Sequence, residues 1–278
     1  MDTSPYIPTP IPVVDPLNEL PVFNLTDRWV DGDVLWLIDV DRRKSYPLQD
    51  DPNNGTTLGN LAGAGAVATV VKSDNDITFR NKGLAFNGDA GNYIKIGATN
   101  AAFLLNAMGN PDVLYTVWFR REDNNAYGSY PVIMGRTRGL SYDAPTQEFT
   151  LNLGADGKSL LVSFSNGTEV VSVFLAPGAP VNEFLALVGT SVQVCFGVEG
   201  GFVLLFVNGV LKATSSTAFT KPYNNYNTVP IQIGEGYSGS SGFKGVFHRA
   251  GMSKLTGAKT AAQKAIEDFN TNYARFNP

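Results

Sequence analysis

The chain has 278 residues and very little sulfur or imidazole: it contains one cysteine, Cys195, and one histidine, His248. A single cysteine forms neither an intrachain disulfide nor a cysteine-based metal cage. Any Ser/His/Asp or Cys/His catalytic system would have to use His248 as its base. Stability must therefore come from a packed core, and nucleophilic catalysis has few residues available to it.

Charge is also scarce. Asp, Glu, Lys and Arg make up 17% of the residues, the formal net charge is −4, and the densest cationic run is Arg42-Arg43-Lys44. Nucleic acid binding needs a stripe of cations that displaces counterions from phosphates. We therefore predict no nucleic acid partner.

No apolar run reaches the length that spans a membrane. Residues 1–5 are not basic, and no apolar stretch follows them. A secretory signal peptide would need both features. We therefore expect no transmembrane segment, no membrane partner and no signal peptide.

Proline dominates the first 21 residues, which contain six prolines. Each fixes its own φ and lacks an amide donor, which excludes a helix or a central strand. The interleaved side chains are too apolar for a plain linker; they are Tyr6, Ile7, Ile11, Val13, Val14, Leu17 and Leu20. We predict that residues 1–27 form an extended assembly arm whose contacts lie mostly on another chain or a distant surface.

Residues 28–256 show the pattern of short strands joined by tight turns. The chain has 29 glycines, and six Asn-Gly or Asp-Gly pairs mark two-residue turns. The clearest hairpin joins residues 202–207 to 210–215 through Asn208-Gly209. Two further hairpins are predicted across Asp156-Gly157 and Asn166-Gly167. Other predicted strands are residues 34–39, 93–96, 114–120, 132–135, 192–198, 229–233 and 243–250. The pattern predicts an all-β antiparallel sandwich.

The period changes in residues 257–278. Ala262, Ile266, Phe269 and Tyr273 recur at helical spacing and share one face. Thr256 or Thr260 is suited to cap the start of this helix. We predict a short C-terminal helix that packs on the sandwich or on a neighbouring chain.

The order of these segments resembles a known family. Val34-Leu-Trp-Leu-Ile-Asp39, Gly83-Leu-Ala-Phe-Asn-Gly88 and Tyr115-Thr-Val-Trp-Phe-Arg120 precede the Asn208-Gly209 hairpin, and Gly242-Phe-Lys-Gly-Val-Phe247 precedes the helix. This arrangement, over roughly residues 33 to 270, resembles the laminin-G-like, concanavalin A-like jelly roll, which also occurs in phage virion structural proteins. The resemblance implies a jelly-roll sandwich. Where the family usually has acidic residues after its Phe-x-Gly strand, this chain has His248-Arg249, so a function tied to those acids does not transfer.

The residues of this chain can be compared with those that enzymes of the expected fold use in catalysis. Glycanases on it carry carboxylates two residues apart on one strand. The nearest match, Asp39-Val40-Asp41, lacks a glutamate partner and runs into Arg42-Arg43, so we expect a solvated strand end with local ion pairs. We expect His248 to be a partly exposed sheet residue and Cys195 to be a buried, inert thiol. The sequence therefore predicts no catalytic residues, no cofactor and no enzyme.

One loop carries oxygen ligands. Asp50, Asp51, Asn53 and Asn54 precede Gly55, which matches a fragment of a calcium-binding loop without its closing glutamate. Side-chain hydrogen bonds to the backbone of a turn explain the same residues. We favour the turn and keep calcium as the alternative.

Six tyrosines lie in loops rich in Gly, Asn and Asp. Exposed, they would offer apolar area with a hydroxyl to a glycan or a protein. Buried, they would cap the ends of the core, and the sequence does not separate these interpretations. They are Tyr127, Tyr130, Tyr142, Tyr223, Tyr226 and Tyr237.

Two functional hypotheses follow. The first is a non-enzymatic structural protein of a virion, made in the host cytoplasm: a decoration, collar or fibre-associated component that attaches to other virion or assembly proteins through residues 1–27. We also expect it to form a homo-oligomer. The second is a carbohydrate-binding module that recognises surface glycans. The two are compatible, because a virion component can bind glycans.

Overall fold

The computed structural model describes residues 30–63, 66–73, 76–89, 91–97, 105–122, 130–137, 144–176, 188–225, 229–235 and 242–278. The predicted arm, residues 1–27, lies outside these ranges. So do four of the six loop tyrosines: Tyr127, Tyr142, Tyr226 and Tyr237.

The described strands form two antiparallel sheets of eight strands each. Sheet A contains β1 (Val34–Asp39), β4 (Ile77–Arg80), β5 (Gly83–Asn87), β7 (Asp112–Arg121), β12 (Ser191–Glu199), β13 (Phe202–Val207), β14 (Val210–Thr214) and β16 (Lys244–Leu255). Sheet B contains β2 (Thr57–Gly59), β3 (Ala66–Val71), β6 (Tyr93–Ile96), β8 (Val132–Thr137), β9 (Gln147–Leu153), β10 (Leu160–Ser165), β11 (Val170–Leu175) and β15 (Ile231–Ile233). A 3-10 turn (Ala144–Thr146) precedes β9, and the helix α1 (Ala261–Phe276) follows β16.

Strand order confirms the predicted jelly-roll sandwich. Sheet A runs β14-β13-β12-β7-β16-β5-β4, and β1 pairs with the second half of β16. Sheet B runs β11-β10-β9-β8-β15-β6-β3-β2. Half of the strand pairs join strands that are not consecutive in sequence, as expected where two sheets are assembled through crossing connections.

Turn chemistry sets the hairpins. Asn208 and Gly209 have φ of 50° and 76°, the left-handed region that a two-residue hairpin requires. They join β13 to β14 as predicted. The hairpins β9–β10 and β10–β11 also pair as predicted.

The core lies between the sheets and is rich in aromatic side chains. Alternation along β7 directs Val113, Tyr115, Val117 and Phe119 into it. Tyr115 stacks on Phe149 of β9 with ring centroids 4.2 Å apart. Burying this apolar area is the main source of stability.

The helix begins where the sequence predicts, but it turns an unexpected face to the sandwich. Thr260 caps it, and Gln263 completes a capping box. Its buried residues are Ala261, Lys264, Ala265, Asp268, Asn272 and Phe276. The predicted apolar row is not the buried one: Ile266 and Tyr273 are 38% and 42% exposed. No helix in the described part of the chain is long and apolar enough to cross a membrane.

Candidate functional site

Polar side chains concentrate in two regions. The first is the layer of buried polar groups between α1 and the outer face of sheet A, which we call the helix layer; its charged members are Asp39, Arg249, Asp268 and Arg275. The second is the end of the sandwich where β8 begins and β15 ends, which we call the loop end.

Asp268 is the centre of the helix layer. Its Oδ2 accepts hydrogen bonds from Trp118 Nε1 at 2.7 Å and Gln193 Nε2 at 2.6 Å. Its Oδ1 accepts from Arg249 Nε at 3.1 Å and from Asn272 Nδ2 at 3.0 Å. A buried carboxylate is tolerated only with such partners. This pairing explains why α1 buries its polar face.

Asp39 extends the same network. Its carboxylate pairs with Arg249 NH1 at 3.0 Å and Arg275 NH2 at 2.5 Å, and Arg275 Nε also lies 3.1 Å from Asp41 Oδ2. Burial opposes the charged form, but the two guanidinium groups outweigh it and lower the pKa of Asp39. The prediction of a solvated strand end is wrong, because α1 covers Asp39 completely. Ion pairs were expected, but the partners lie on β16 and α1, far along the chain.

His248 is also buried, and its predicted partial exposure is wrong. Nε2 lies 3.0 Å from Ser191 Oγ, Nδ1 lies 3.2 Å from the carbonyl oxygen of Lys82, and the ring stacks on Phe276 at 4.7 Å. Burial lowers the pKa of His248 to about 4. The end of α1 therefore encloses the only histidine, which is not placed to act as a base on a bound substrate.

Cys195 is buried as predicted. Its thiol donates to Thr116 Oγ1 at 3.3 Å, and burial raises its pKa well above the ordinary value. The thiolate is therefore disfavoured, and the thiol packs as a small apolar group.

A second buried charge pair was missed by the sequence analysis. Arg136 Nε of β8 lies 3.3 Å from Glu148 Oε2 of β9, and Glu148 Oε1 accepts from the Leu105 amide at 3.2 Å. Burial raises the pKa of Glu148 to about 7, although Arg136 opposes the rise. A register shift pairs Thr137 with Gln147 and leaves Glu148 as an extra residue in β9. Strand alternation alone does not reveal such a bulge.

The loop at residues 50–54 uses its oxygens locally. Asp51 Oδ1 accepts from the Phe79 amide at 2.6 Å, and Asn54 Oδ1 accepts from the Lys72 amide at 3.2 Å. Asp50 Oδ1 accepts from the amide of Asp51 at 2.8 Å. The oxygens of the proposed calcium fragment therefore bind backbone, which supports the turn interpretation. Among the described residues, no three His, Cys, Asp or Glu side chains are grouped to hold a metal ion.

The two described loop tyrosines have opposite environments. Tyr223 is 1% exposed and donates its hydroxyl to the Pro111 carbonyl at 3.0 Å. It caps the core, so its assignment as a contact residue is wrong. Tyr130 is 40% exposed and lies at the start of β8.

Tyr130 belongs to the loop end. The Val132 amide donates to the Glu235 carbonyl at 3.3 Å, so the start of β8 and the segment after β15 lie at the same end of sheet B. Burial raises the pKa of the Glu235 carboxyl to about 7. This end therefore carries one exposed aromatic residue, Tyr130, and one partly buried carboxyl group, Glu235.

A further polar cluster lies close by. The Gly242 amide donates to the Gly88 carbonyl at 2.6 Å, which places the β5–β6 turn at the loop end. There Asp76 accepts hydrogen bonds from Ser73, Asn87 and Asn92. The carboxylate and amides of this cluster bind one another, which fixes the β5–β6 turn.

Comparison with known families gives one match: the family model Laminin_G_3, of the concanavalin A-like lectin/glucanases superfamily, matches residues 87–254, more than half of the chain. The search of curated protein sequences finds no match.

Solved structures share the fold at low identity. Domain 4 of AbnA, an extracellular arabinanase from Geobacillus stearothermophilus in complex with arabinotriose, has a TM-score of 0.52 and 13% identity over 85% of this chain and 98% of that one. The receptor-binding domain of botulinum neurotoxin type G gives 0.55 and 12% over 86% and 51%. Trypanosoma rangeli sialidase gives 0.55 and 10% over 88% and 34%. The chain thus spans about half of the neurotoxin domain and a third of the sialidase, and the likeness is one of fold.

Proposed function

Because this chain belongs to the concanavalin A-like lectin/glucanases superfamily, we propose that it is a non-enzymatic structural or interaction protein that attaches to an assembly through residues 1–27. One observation supports the non-enzymatic part of this proposal: the residues that could act in catalysis are buried and hydrogen-bonded inside the protein. Asp39, His248 and Cys195 are all fully buried and hydrogen-bonded.

Glycoside hydrolysis illustrates the point. It needs two carboxyl groups that flank the scissile bond, one of which stays protonated to act as an acid. Asp39 instead binds two guanidinium groups that lower its pKa, and Asp41 shares Arg275 with it. Incubation with oligosaccharides should give no product. Changing Asp39 to alanine should alter stability rather than any reaction.

Attachment is supported by the composition of the arm. Its apolar side chains gain free energy only against another surface, since six prolines prevent an internal hydrogen-bond ladder. We place the protein in a virion, as a decoration, collar or fibre-associated component. The support is the occurrence of laminin-G-like jelly rolls with short arms among virion surface proteins, which is an argument by analogy.

Deletion of residues 1–22 tests this role. We expect residues 23–278 to fold but to fail to enter the native assembly. Normal incorporation of the shortened chain would rule out attachment through the arm. Outright unfolding would instead make the arm part of its own domain.

A second function, glycan binding at the loop end, is favoured by the exposed ring of Tyr130 at the start of β8. The arabinanase domain, whose structure is in complex with arabinotriose, has this fold. Tyr130→Ala should weaken oligosaccharide binding in a glycan array at least about tenfold, the loss expected for one stacking ring. Tyr273→Ala is the matched control, since Tyr273 is 42% exposed on α1. Equal loss in both variants would exclude the site.

A further inference from the structure

An apolar stripe runs along the outside of the helix. It consists of Ala262, Ile266 and Tyr273 of α1 with Leu211 of β14, while Phe269 of the same row stacks on Trp118 with ring centroids 6.1 Å apart. Ile266, Tyr273 and Leu211 are 38%, 42% and 49% exposed. A Cβ at Gly209 would lie 2.7 Å from Ile266 Cδ1 and 3.2 Å from Phe269 Cβ, so the β13–β14 turn lies directly against the helix.

The hydrogen bonds of the helix layer hold this stripe on the outward side of α1. Helices on globular proteins normally bury their apolar row. Here rotation of α1 would pull Asp268 from Trp118, Gln193 and Arg249 and leave a carboxylate uncompensated. The helix therefore cannot turn Ile266 and Tyr273 onto the sheet. A fixed, contiguous apolar surface marks a site of interaction.

The composition of the arm fits the stripe. Seven apolar side chains are interleaved with the prolines of residues 1–21, and residues 1–27 carry Asp2, Asp15, Glu19 and Asp27 but no Lys or Arg. At about 3.1 Å per residue, the segment from Tyr6 to Leu20 extends roughly 45 Å as polyproline helix. The stripe from Ala262 to Tyr273 needs about 16 Å at 1.5 Å per helical residue.

The point where the described chain begins argues against the chain's own arm. Asp31 is held by Lys264 Nζ at 2.8 Å, at the start of α1. At about 100° per residue, Lys264 and Ile266 point to nearly opposite flanks of the helix. The arm therefore joins the described chain on the flank of α1 opposite Ile266, and it would have to pass around the helix to reach its own stripe.

We propose that the apolar stripe receives the N-terminal arm of a second copy of this chain. This rests on the attachment role proposed above and names its receiving surface. Each arm would leave its own body beside Lys264 and lie along the helix of a neighbour, so that copies are joined by polyproline segments rather than by the faces of their sandwiches.

Site-directed cross-linking tests this in the full chain. Cys195 is buried, so introduced thiols react alone. A tagged Ile11→Cys chain is mixed with an Ile266→Cys chain and treated with a short bismaleimide. The control partner is Thr271→Cys, which is exposed on the Lys264 flank of the same helix. We expect at least about tenfold more mixed dimer with Ile266→Cys than with Thr271→Cys, since docking raises the local thiol concentration.

Equal yields from the two partners would overturn the proposal, as would cross-links found only within one chain of an Ile11→Cys/Ile266→Cys double variant. Tyr273→Cys is a second stripe position in case Ile266→Cys folds poorly. If residues 23–278 fail to assemble but no stripe cross-link forms, attachment through the arm stands and this receiving surface is wrong. If they assemble normally, attachment itself is wrong.

Discussion

The two faces of sheet A are stabilised by different kinds of interaction. Alternate residues of β7 send Tyr115 and Val117 into the core and Thr116 and Trp118 into the helix layer. The core is held by the burial of apolar area. The helix layer is held by a few hydrogen-bonded charges, each of which is costly to leave unpaired. One strand thus supports an apolar interface on one face and a hydrogen-bonded, charged interface on the other.

The largest effect is expected from removing Arg249, the cation that lies between the carboxylates of Asp39 and Asp268. Arg249→Met leaves Asp268 without a counterion in a buried site, so the free energy of unfolding should fall by about 3–5 kcal/mol. Denaturant titration measures it.

The double variant Arg249→Met/Asp268→Leu should recover part of this loss, since no uncompensated charge remains. The exposed pair of Arg80 with Glu122 serves as a control: Arg80→Met should cost less than about 1 kcal/mol. If Arg249→Met also costs under 1 kcal/mol, the helix layer is not held by charge.

Acid should weaken the helix layer through His248. Its pKa in the folded protein, about 4, lies below the ordinary 6.5, so the unfolded chain binds the proton more readily. Stability should therefore fall as pH drops from about 6.5 to 4, by about 3 kcal/mol from this group. His248→Gln should remove that component. Parallel stability curves for the two proteins between pH 7 and 4 would contradict the assignment.

Glu148 should make the stability of the protein depend on pH in the opposite direction. Its pKa is raised from 4.5 to about 7, so the folded protein holds the proton more tightly than the unfolded chain. Its contribution should be present below pH 4.5 and lost as pH rises to 7, by roughly 3 kcal/mol. Glu148→Gln should flatten this dependence in urea titrations at several pH values. A slope that survives the substitution would place its origin elsewhere.

The smallest effect concerns how the helix begins. Thr260→Ala removes the hydroxyl that accepts from the Gln263 amide at 3.2 Å and should cost about 1 kcal/mol. Thr271→Ala, an exposed threonine within the same helix, is the matched control and should change stability by less than half of that. Equal costs would mean that the cap does not matter.

The rules for turns and helix caps predicted those features that depend on residues close together in the sequence. The Asn208-Gly209 hairpin and the cap at Thr260 follow from turn and cap chemistry, and two strands, Val34–Asp39 and Tyr93–Ile96, have the predicted bounds. The helix layer was not predictable in this way. Asp39 and Arg249 are 210 residues apart, and only the fold brings them together. The burial of His248 likewise depends on Phe276.

The most direct measurement is sedimentation velocity of the full chain beside residues 23–278, with melting temperatures for both. If the sandwich is complete without its arm and the arm joins copies, the full chain will associate as concentration rises. The shortened chain will stay monomeric and melt within a few degrees of the full one. Identical sedimentation of the two chains, or a collapse of the melting temperature on truncation, would contradict this account.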